Sequence, residues 1–257
     1  MLPLFASVGR VFIAFIDSVG RLSLFTGTAL SHVVRPPFYG RALLRQLVDV
    51  GYFSLPVVGM TAVFTGMVLA LQTFSGFPSY VASSAVPSVV LLSMTRELGP
   101  VIAGLMLAGR IGAAVAAEIG TMRVTDQIDA LSTLSTNPFK YLVVPRVLAG
   151  LVTLPLLVLI ADVIGVFGGF LVSTYKLGFN PSGYLALTIS YLKTMDVVSG
   201  LVKAGMFGFV VTLMGCYHGY HSRGGAQGVG SATTNAVVSA SVLILLTDYL
   251  ITALVFS

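Results

Sequence analysis

Apolar residues run almost unbroken from Tyr52 to Phe74 as "YFSLPVVGMTAVFTGMVLALQTF", and similar runs recur near 87–109, 147–172, 197–217 and 236–256. Each is close to the roughly 20 residues a helix needs to cross a hydrocarbon core about 30 Å thick. The pattern predicts five spans. Between them, "SGFPSYVASSAVP" reads as an uncharged turn, and 110–146 is the most polar stretch, its middle an amphipathic helix outside the membrane ending near Asn137 and Pro138. Residues 173–196 form a partly apolar excursion holding a short helix, and "HGYHSRGGAQGVGSATT" reads as a Gly-rich turn.

The first 36 residues differ from a span. Arg10, Asp17 and Arg21, spaced seven and four apart, share a helical face opposite Phe5, Phe12, Phe15 and Ile16. That pattern predicts a helix lying in the membrane interface, broken by "RPP" at 35–37. A basic n-region is missing, which argues against a signal peptide.

Composition agrees with the pattern. Of 257 residues 56% are hydrophobic and 9% charged, against about 25% charged in soluble domains, and the mean hydropathy is +0.97. The expectation is one all-α integral membrane domain, with an interfacial helix over 1–36 and a membrane core over 41–257. The net charge of +5 is spread over turns without a basic tract, so nucleic acid is not an expected partner. Its distribution sets topology instead. Arg10, Arg21, Arg35, Arg41, Arg45, Arg110, Arg123, Lys140, Arg146 and Arg223 fall on one side and only Lys176 and Lys193 on the other. The N-terminus and 110–146 are therefore expected in the cytoplasm and the C-terminus on the far side.

Several chemistries lack their residues. "GGAQGVGSATT" has Ser231 where a phosphate-binding loop needs lysine, so nucleotide hydrolysis is not expected of this chain. Cys216, His218 and His221 cluster, but three ligands on one turn lack a fourth, and a polar helix end explains them without a metal. Small residues four apart (Gly104 and Ala108, Gly165 and Gly169, Gly200 and Ala204, Gly215 and Gly219) let helices approach closely, within the chain or across a homodimer.

Five ionisable residues fall inside the predicted spans: Arg96, Glu97, Asp162, Lys203 and Asp248. Each costs roughly 2.5 to 3.5 kcal/mol at the membrane centre unless it finds a partner or water. By helical rise, Lys203 and Asp248 reach similar depths, roughly 9 Å below the far face, which predicts an ion pair. Asp162 has no evident partner. Arg96 and Glu97 are sequence neighbours whose side chains diverge by about 100°, so each needs another partner. Pro100 removes the hydrogen bond to the carbonyl of Arg96, predicting a kink at the same depth. A cavity opening there and purely interhelical contacts both fit.

"TRELGPVIAGLMLAGRIGAAVAAEIGTMRVTDQIDAL" (95–131) resembles the signature region of the MlaE-type permeases, membrane subunits of ABC transporters that work with MCE-domain proteins on lipids. "RQLVDVGYFSLP", "FTGMVLALQ", "NPFKYLVVPRVLAG", "VIGVFGG", "GYHSRGGAQGVGSATTNAVV" and "LTDYLITAL" extend the likeness from about Arg41 to the C-terminus. The resemblance implies a homodimer in the bacterial inner membrane, an ABC ATPase subunit carrying ATP and Mg, a periplasmic MCE-domain ring and, in many systems, a STAS-domain protein. No cofactor is implied in this chain. Arg96 and Glu97, with Val68, Leu69, Leu71 and Leu98 as walls, would hold phospholipid at the dimer interface. Glu118, Arg123, Asp126 and Asp129 would contact the ATPase. Relatives often carry arginines at the positions of Ser231 and Asn235 and an apolar residue at Asp162. An ion-coupled secondary transporter, with Glu97, Asp162 and Asp248 carrying protons, and a membrane scaffold are the other classes that fit the residues.

Overall fold

The computed structural model describes residues 2–33 and 35–256, and the side chains of Phe5 and Phe15 lie outside the described residues. Every element in it is helical. The order is α1 (Leu2–Val33), α2 (Gly40–Val50), α3 (Leu55–Gly76), α4 (Ser79–Ser93), α5 (Gly99–Leu107), α6 (Ala113–Val124), α7 (Gln127–Thr133), α8 (Val144–Tyr175), α9 (Pro181–Tyr191), α10 (Thr194–Tyr220) and α11 (Gly225–Phe256). Three π-helical turns, Met94–Leu98, Ala108–Gly112 and Phe139–Val143, join α4 to α5, α5 to α6 and the 138 region to α8.

Six stretches of the described residues are long and apolar enough to cross a membrane: Phe12–Val33, Gly40–Gly76, Tyr80–Val124, Phe139–Tyr175, Thr194–Tyr220 and Gly225–Val255. Five correspond to the predicted spans, and the sixth is the apolar part of α1. The 45 residues of Tyr80–Val124 would measure about 66 Å as a straight helix, more than twice a bilayer core. Its two π turns interrupt that path.

α8 and α10 occupy the centre: α8 packs on α3 and α10, and α10 on α6 and α11. Glycine makes these approaches possible. A Cβ at Gly66 would run into the carbonyl of Gly165, and one at Gly215 or Gly219 would stand 2.9 Å from the carbonyl oxygen of Gly112 or Ala116. Gly200 lies against the carbonyl of Thr95 and Gly104 against Phe207. The small-residue faces are thus filled within one chain.

Three boundaries differ from the pattern-based reading. "SGFPSYVASSAVP" is mostly helix, because Ala82, Val86, Val90 and Met94 form a buried stripe at spacing four that carries α4 through Pro87. The Gly-rich stretch is also helix from Gly225 onward. Its face of Ala232, Ala236, Ala240 and Ile244 is buried, and the hydroxyls of Ser231 and Thr233 bond back to the carbonyls of Gly228 and Gly230 at 2.9 and 2.6 Å. Finally, the segment after Arg110 is not one extramembrane helix. α6 continues the helical path after the second π turn, with Val115, Ala116 and Ile119 buried against α10 and α11, and the chain breaks at Asp126, whose φ of 58° is the left-handed conformation that Asp tolerates.

In α1, Arg21 pairs with Asp17 at 2.7 Å, while Phe12, Ile13, Ile16 and Leu24 are exposed. Its C-terminal half docks through Phe25, whose ring lies 5.1 Å from Phe139 and 5.4 Å from Tyr217.

Candidate functional site: an apolar groove beside a buried ion network

Two features meet at the π turn Met94–Leu98. The first is a groove of about 780 Å3 along α3, lined by Pro56, Val57, Met60, Thr61, Phe64, Thr65, Val68, Leu69, Gln72 and, from the π turn, Leu98. From Pro56 to Gln72 the helix rises about 24 Å, most of the thickness of a hydrocarbon core. The wall is apolar in effect as well as composition. Thr61 and Thr65 turn their hydroxyls back onto their own helix, Thr61 to the carbonyls of Val57 and Val58 and Thr65 to that of Thr61. Gln72 alone among the lining residues offers a free amide.

The second feature is a set of ion pairs. Lys203, fully buried, lies 2.7 Å from Glu97 Oε2 and 2.9 Å from Asp248 Oδ1, and it donates to the carbonyl oxygen of Arg96 at 2.9 Å. That carbonyl is the one Pro100 leaves without its helical donor. The ammonium thus hydrogen-bonds Glu97 and that carbonyl, while Asp248 adds its charge at ion-pair distance. Thr252 of α11 donates to Glu97 Oε1 at 3.1 Å, so α10, α11 and the π turn are tied at one point. Arg96 points elsewhere: its Nε and Nη2 reach Asp196 Oδ1 at 2.8 and 2.7 Å.

Sequence reasoning placed Lys203 beside Asp248 but did not see Glu97 as the second carboxylate, nor Asp196 as the partner of Arg96. A signal existed for Asp196: it precedes Lys203 by seven residues, two helical turns on the same face. The walls proposed from the resemblance divide. Val68, Leu69 and Leu98 line the groove; Leu71, Arg96 and Glu97 are not among its lining residues. Asp162 is buried against Gly99, where a Cβ would meet its carboxylate, and its Oδ1 has no hydrogen-bond partner among the described residues.

The residues expected to contact an ATPase lie at the opposite end of the bundle. Arg123 and Asp129 pair with each other at 2.7 Å, Asp126 is exposed at the turn before α7, and Glu118 pairs with the buried Arg146 at 2.8 Å. Cys216 is buried, His218 Nε2 lies 3.0 Å from Ser239 Oγ, and His221 Nδ1 lies 2.8 Å from the carbonyl oxygen of Tyr217.

Asp196 is 1% exposed, so Arg96→Ala leaves a buried carboxylate without its guanidinium. Truncating one member of a buried pair costs roughly 3 to 5 kcal/mol. Arg96→Ala is expected to lower the melting temperature of the solubilised protein clearly, and Arg96→Lys much less. Equal melting of wild type and Arg96→Ala would show that the pair carries no stability.

A helical bundle with several stretches long and apolar enough to cross a membrane is a multi-pass, all-α membrane protein, and this one carries an apolar groove beside a buried ion network. The chain belongs to the family described as Permease MlaE, which matches residues 43–254. It is 59% identical over 250 residues to a probable ABC transporter permease protein of Rickettsia felis, covering 97% of this chain and 96% of the relative. It is 31% identical over 252 residues to the intermembrane phospholipid transport system permease protein MlaE of Haemophilus influenzae, covering 98% and 97%. The chloroplastic protein TRIGALACTOSYLDIACYLGLYCEROL 1 of Arabidopsis thaliana is 34% identical over 233 residues, covering 91% and 67%. The chain is thus a permease subunit of an ABC transporter.

Proposed function

We propose that this permease moves phospholipid between the two membranes of a bacterial envelope, from a seat in the inner membrane, driven by ATP hydrolysis on a separate ATPase subunit. The observation that carries the reading is the join at Leu98. One residue of the π turn forms the wall of a groove long enough for acyl chains, while its neighbours Arg96 and Glu97 belong to the ion network. The name of the Haemophilus relative, an intermembrane phospholipid transport system permease protein, supports the substrate class.

In this reading two copies bring their α3 grooves together as a homodimer, which would cover Val57, Met60, Phe64 and Val68, exposed in one chain. The α6–α7 end, with Glu118, Arg123, Asp126 and Asp129, faces the cytoplasm and receives the ATPase, with a STAS-domain protein bound to it. The C-terminus faces the periplasm, where an MCE-domain partner accepts the lipid. A proton relay finds less support, because Glu97 and Asp248 are both committed to Lys203.

The test fills the groove. Met60 and Val68 are 59% and 51% exposed, so Met60→Trp with Val68→Trp leaves the chain's own packing intact. Overfilling a packed site costs roughly 1 to 3 kcal/mol, or about tenfold in affinity. Phospholipid co-purifying with the variant, counted by mass spectrometry, is expected to fall by about that factor, together with transfer between donor and acceptor vesicles. Unchanged lipid retention and unchanged transfer would refute the groove as the substrate path.

A further inference from the structure

A second groove of about 780 Å3 lies at the other end of the bundle, between α2, α6 and the start of α8, and shares no lining residue with the groove on α3. Its chemistry is opposite. Three arginines line it, Arg41, Arg45 and Arg146, against two carboxylates, Asp49 and Glu118. The positive charge is only partly spent. Arg45 meets Asp49 at 3.8 Å with its side chain 84% exposed, and among the described residues Arg41 has neither an ion pair nor a hydrogen bond.

Arg146 gives this groove a built floor. It is 4% exposed, and it is held in place by Glu118 at 2.8 Å and by the carbonyl of Leu142 at 2.7 Å. Its buried Nε has no hydrogen-bond partner among the described residues. A guanidinium fixed in this way presents charge to the groove without needing to be ordered when a ligand arrives.

The surroundings select the ligand. Tyr39 and Tyr141 stand edge to face at 5.2 Å in the wall. Phe38 in the lining is 70% exposed, and Leu44 of α2 and Tyr52 and Phe53 just after it are 64%, 67% and 53% exposed. Exposed aromatic rings beside arginines mark the level where a membrane passes from acyl chains to head groups, and basic pockets between membrane helices hold anionic head groups.

We propose that this groove binds the phosphate head group of an anionic phospholipid from the adjoining leaflet, with Arg41 and Arg45 contacting the phosphate over the fixed charge of Arg146 and the acyl chains lying outside against Leu44 and Phe53. The site is separate from the α3 groove and does not depend on phospholipid being the transported substrate.

The test uses the full chain in phosphatidylcholine nanodiscs, titrated with phosphatidylglycerol, with additional phosphatidylcholine, or with soluble glycerol 3-phosphate, and read by native mass spectrometry. Wild type is expected to retain phosphatidylglycerol selectively. Arg41→Gln with Arg45→Gln is expected to weaken that retention roughly 25-fold, from about fivefold per arginine at an anionic surface. The Met60→Trp, Val68→Trp variant, which blocks the α3 groove, is expected to lose lipid from that groove and still keep the preference for phosphatidylglycerol over phosphatidylcholine. Both arginines are exposed, so melting should not move; if it does, Arg45→Gln alone is expected to show about a fivefold loss. Equal retention by variant and wild type would overturn the proposal. So would equal occupancy by glycerol 3-phosphate, which makes the site one for soluble phosphate, or loss of ATPase-subunit binding with lipid retention intact, which makes it a protein contact.

Discussion

Lys203→Met is expected to melt the solubilised protein at a markedly lower temperature, with a loss of roughly 3 to 5 kcal/mol. Lys203 is fully buried and serves Glu97 and Asp248 together. Without it, two carboxylates face each other across a low-dielectric gap, and the carbonyl of Arg96 loses its donor. The variant Lys203→Met with Asp248→Leu removes the more buried carboxylate as well as the cation. Glu97, whose side chain is 37% exposed, can then turn toward water. The double variant is expected to recover at least half of the loss, because replacing a whole buried pair by apolar groups is often nearly neutral. A double variant no more stable than Lys203→Met would mean that the damage comes from lost packing rather than from an orphaned charge.

The second large effect is expected at Gly66. A side chain there meets a backbone carbonyl of Gly165, which cannot rotate away as a side-chain atom would. α3 and α8 must separate, and overpacking of this kind costs roughly 1 to 3 kcal/mol for small additions. Gly66→Leu should therefore unfold readily, and Gly66→Ala should be clearly less stable than Gly59→Ala, whose Cβ would find only Ile164 Cδ1 at 3.5 Å. A Cβ at Gly165 would meet Met94 Cε and stand 3.2 Å from the carbonyl oxygen of Ala62 on α3, so both substitutions strain the same α3–α8 contact, and Gly66→Ala and Gly165→Ala should combine less than additively. Thermal unfolding of the four single variants and of the Gly66→Ala, Gly165→Ala double variant checks both points. The same helix carries the groove, so displaced α3 should also retain less lipid; full retention in a destabilised Gly66→Ala would separate groove shape from this packing.

Much of the fold was legible because a membrane chain must state its helices in composition. Twenty apolar residues with no water to hydrogen-bond their backbone can only be helix, and the five apolar runs reappear as five of the crossing stretches. Boundaries were harder. Serine, glycine and proline in "SGFPSYVASSAVP" and "GGAQGVGSATT" are turn formers in water, yet both segments are largely helical because a buried stripe at spacing four holds them against neighbours. That stripe was readable, but it competed with turn propensity, and tertiary packing overrides propensity.

The site divides in the same manner. Sequence alone determined that Arg96, Glu97, Lys203 and Asp248 needed partners, since an isolated charge in hydrocarbon is too costly to keep, and that Pro100 would strip a carbonyl of its donor. Only the tertiary structure decided who met whom: that Lys203 takes the freed carbonyl and two carboxylates at once, that Arg96 turns to Asp196, and that of the four expected walls Val68, Leu69 and Leu98 line the groove while Leu71 does not. The reason is geometric. Spacing along one helix sets the face a side chain shares with its own neighbours, whereas partners on other helices depend on how those helices cross, and here the crossings are set by glycine contacts between distant parts of the chain.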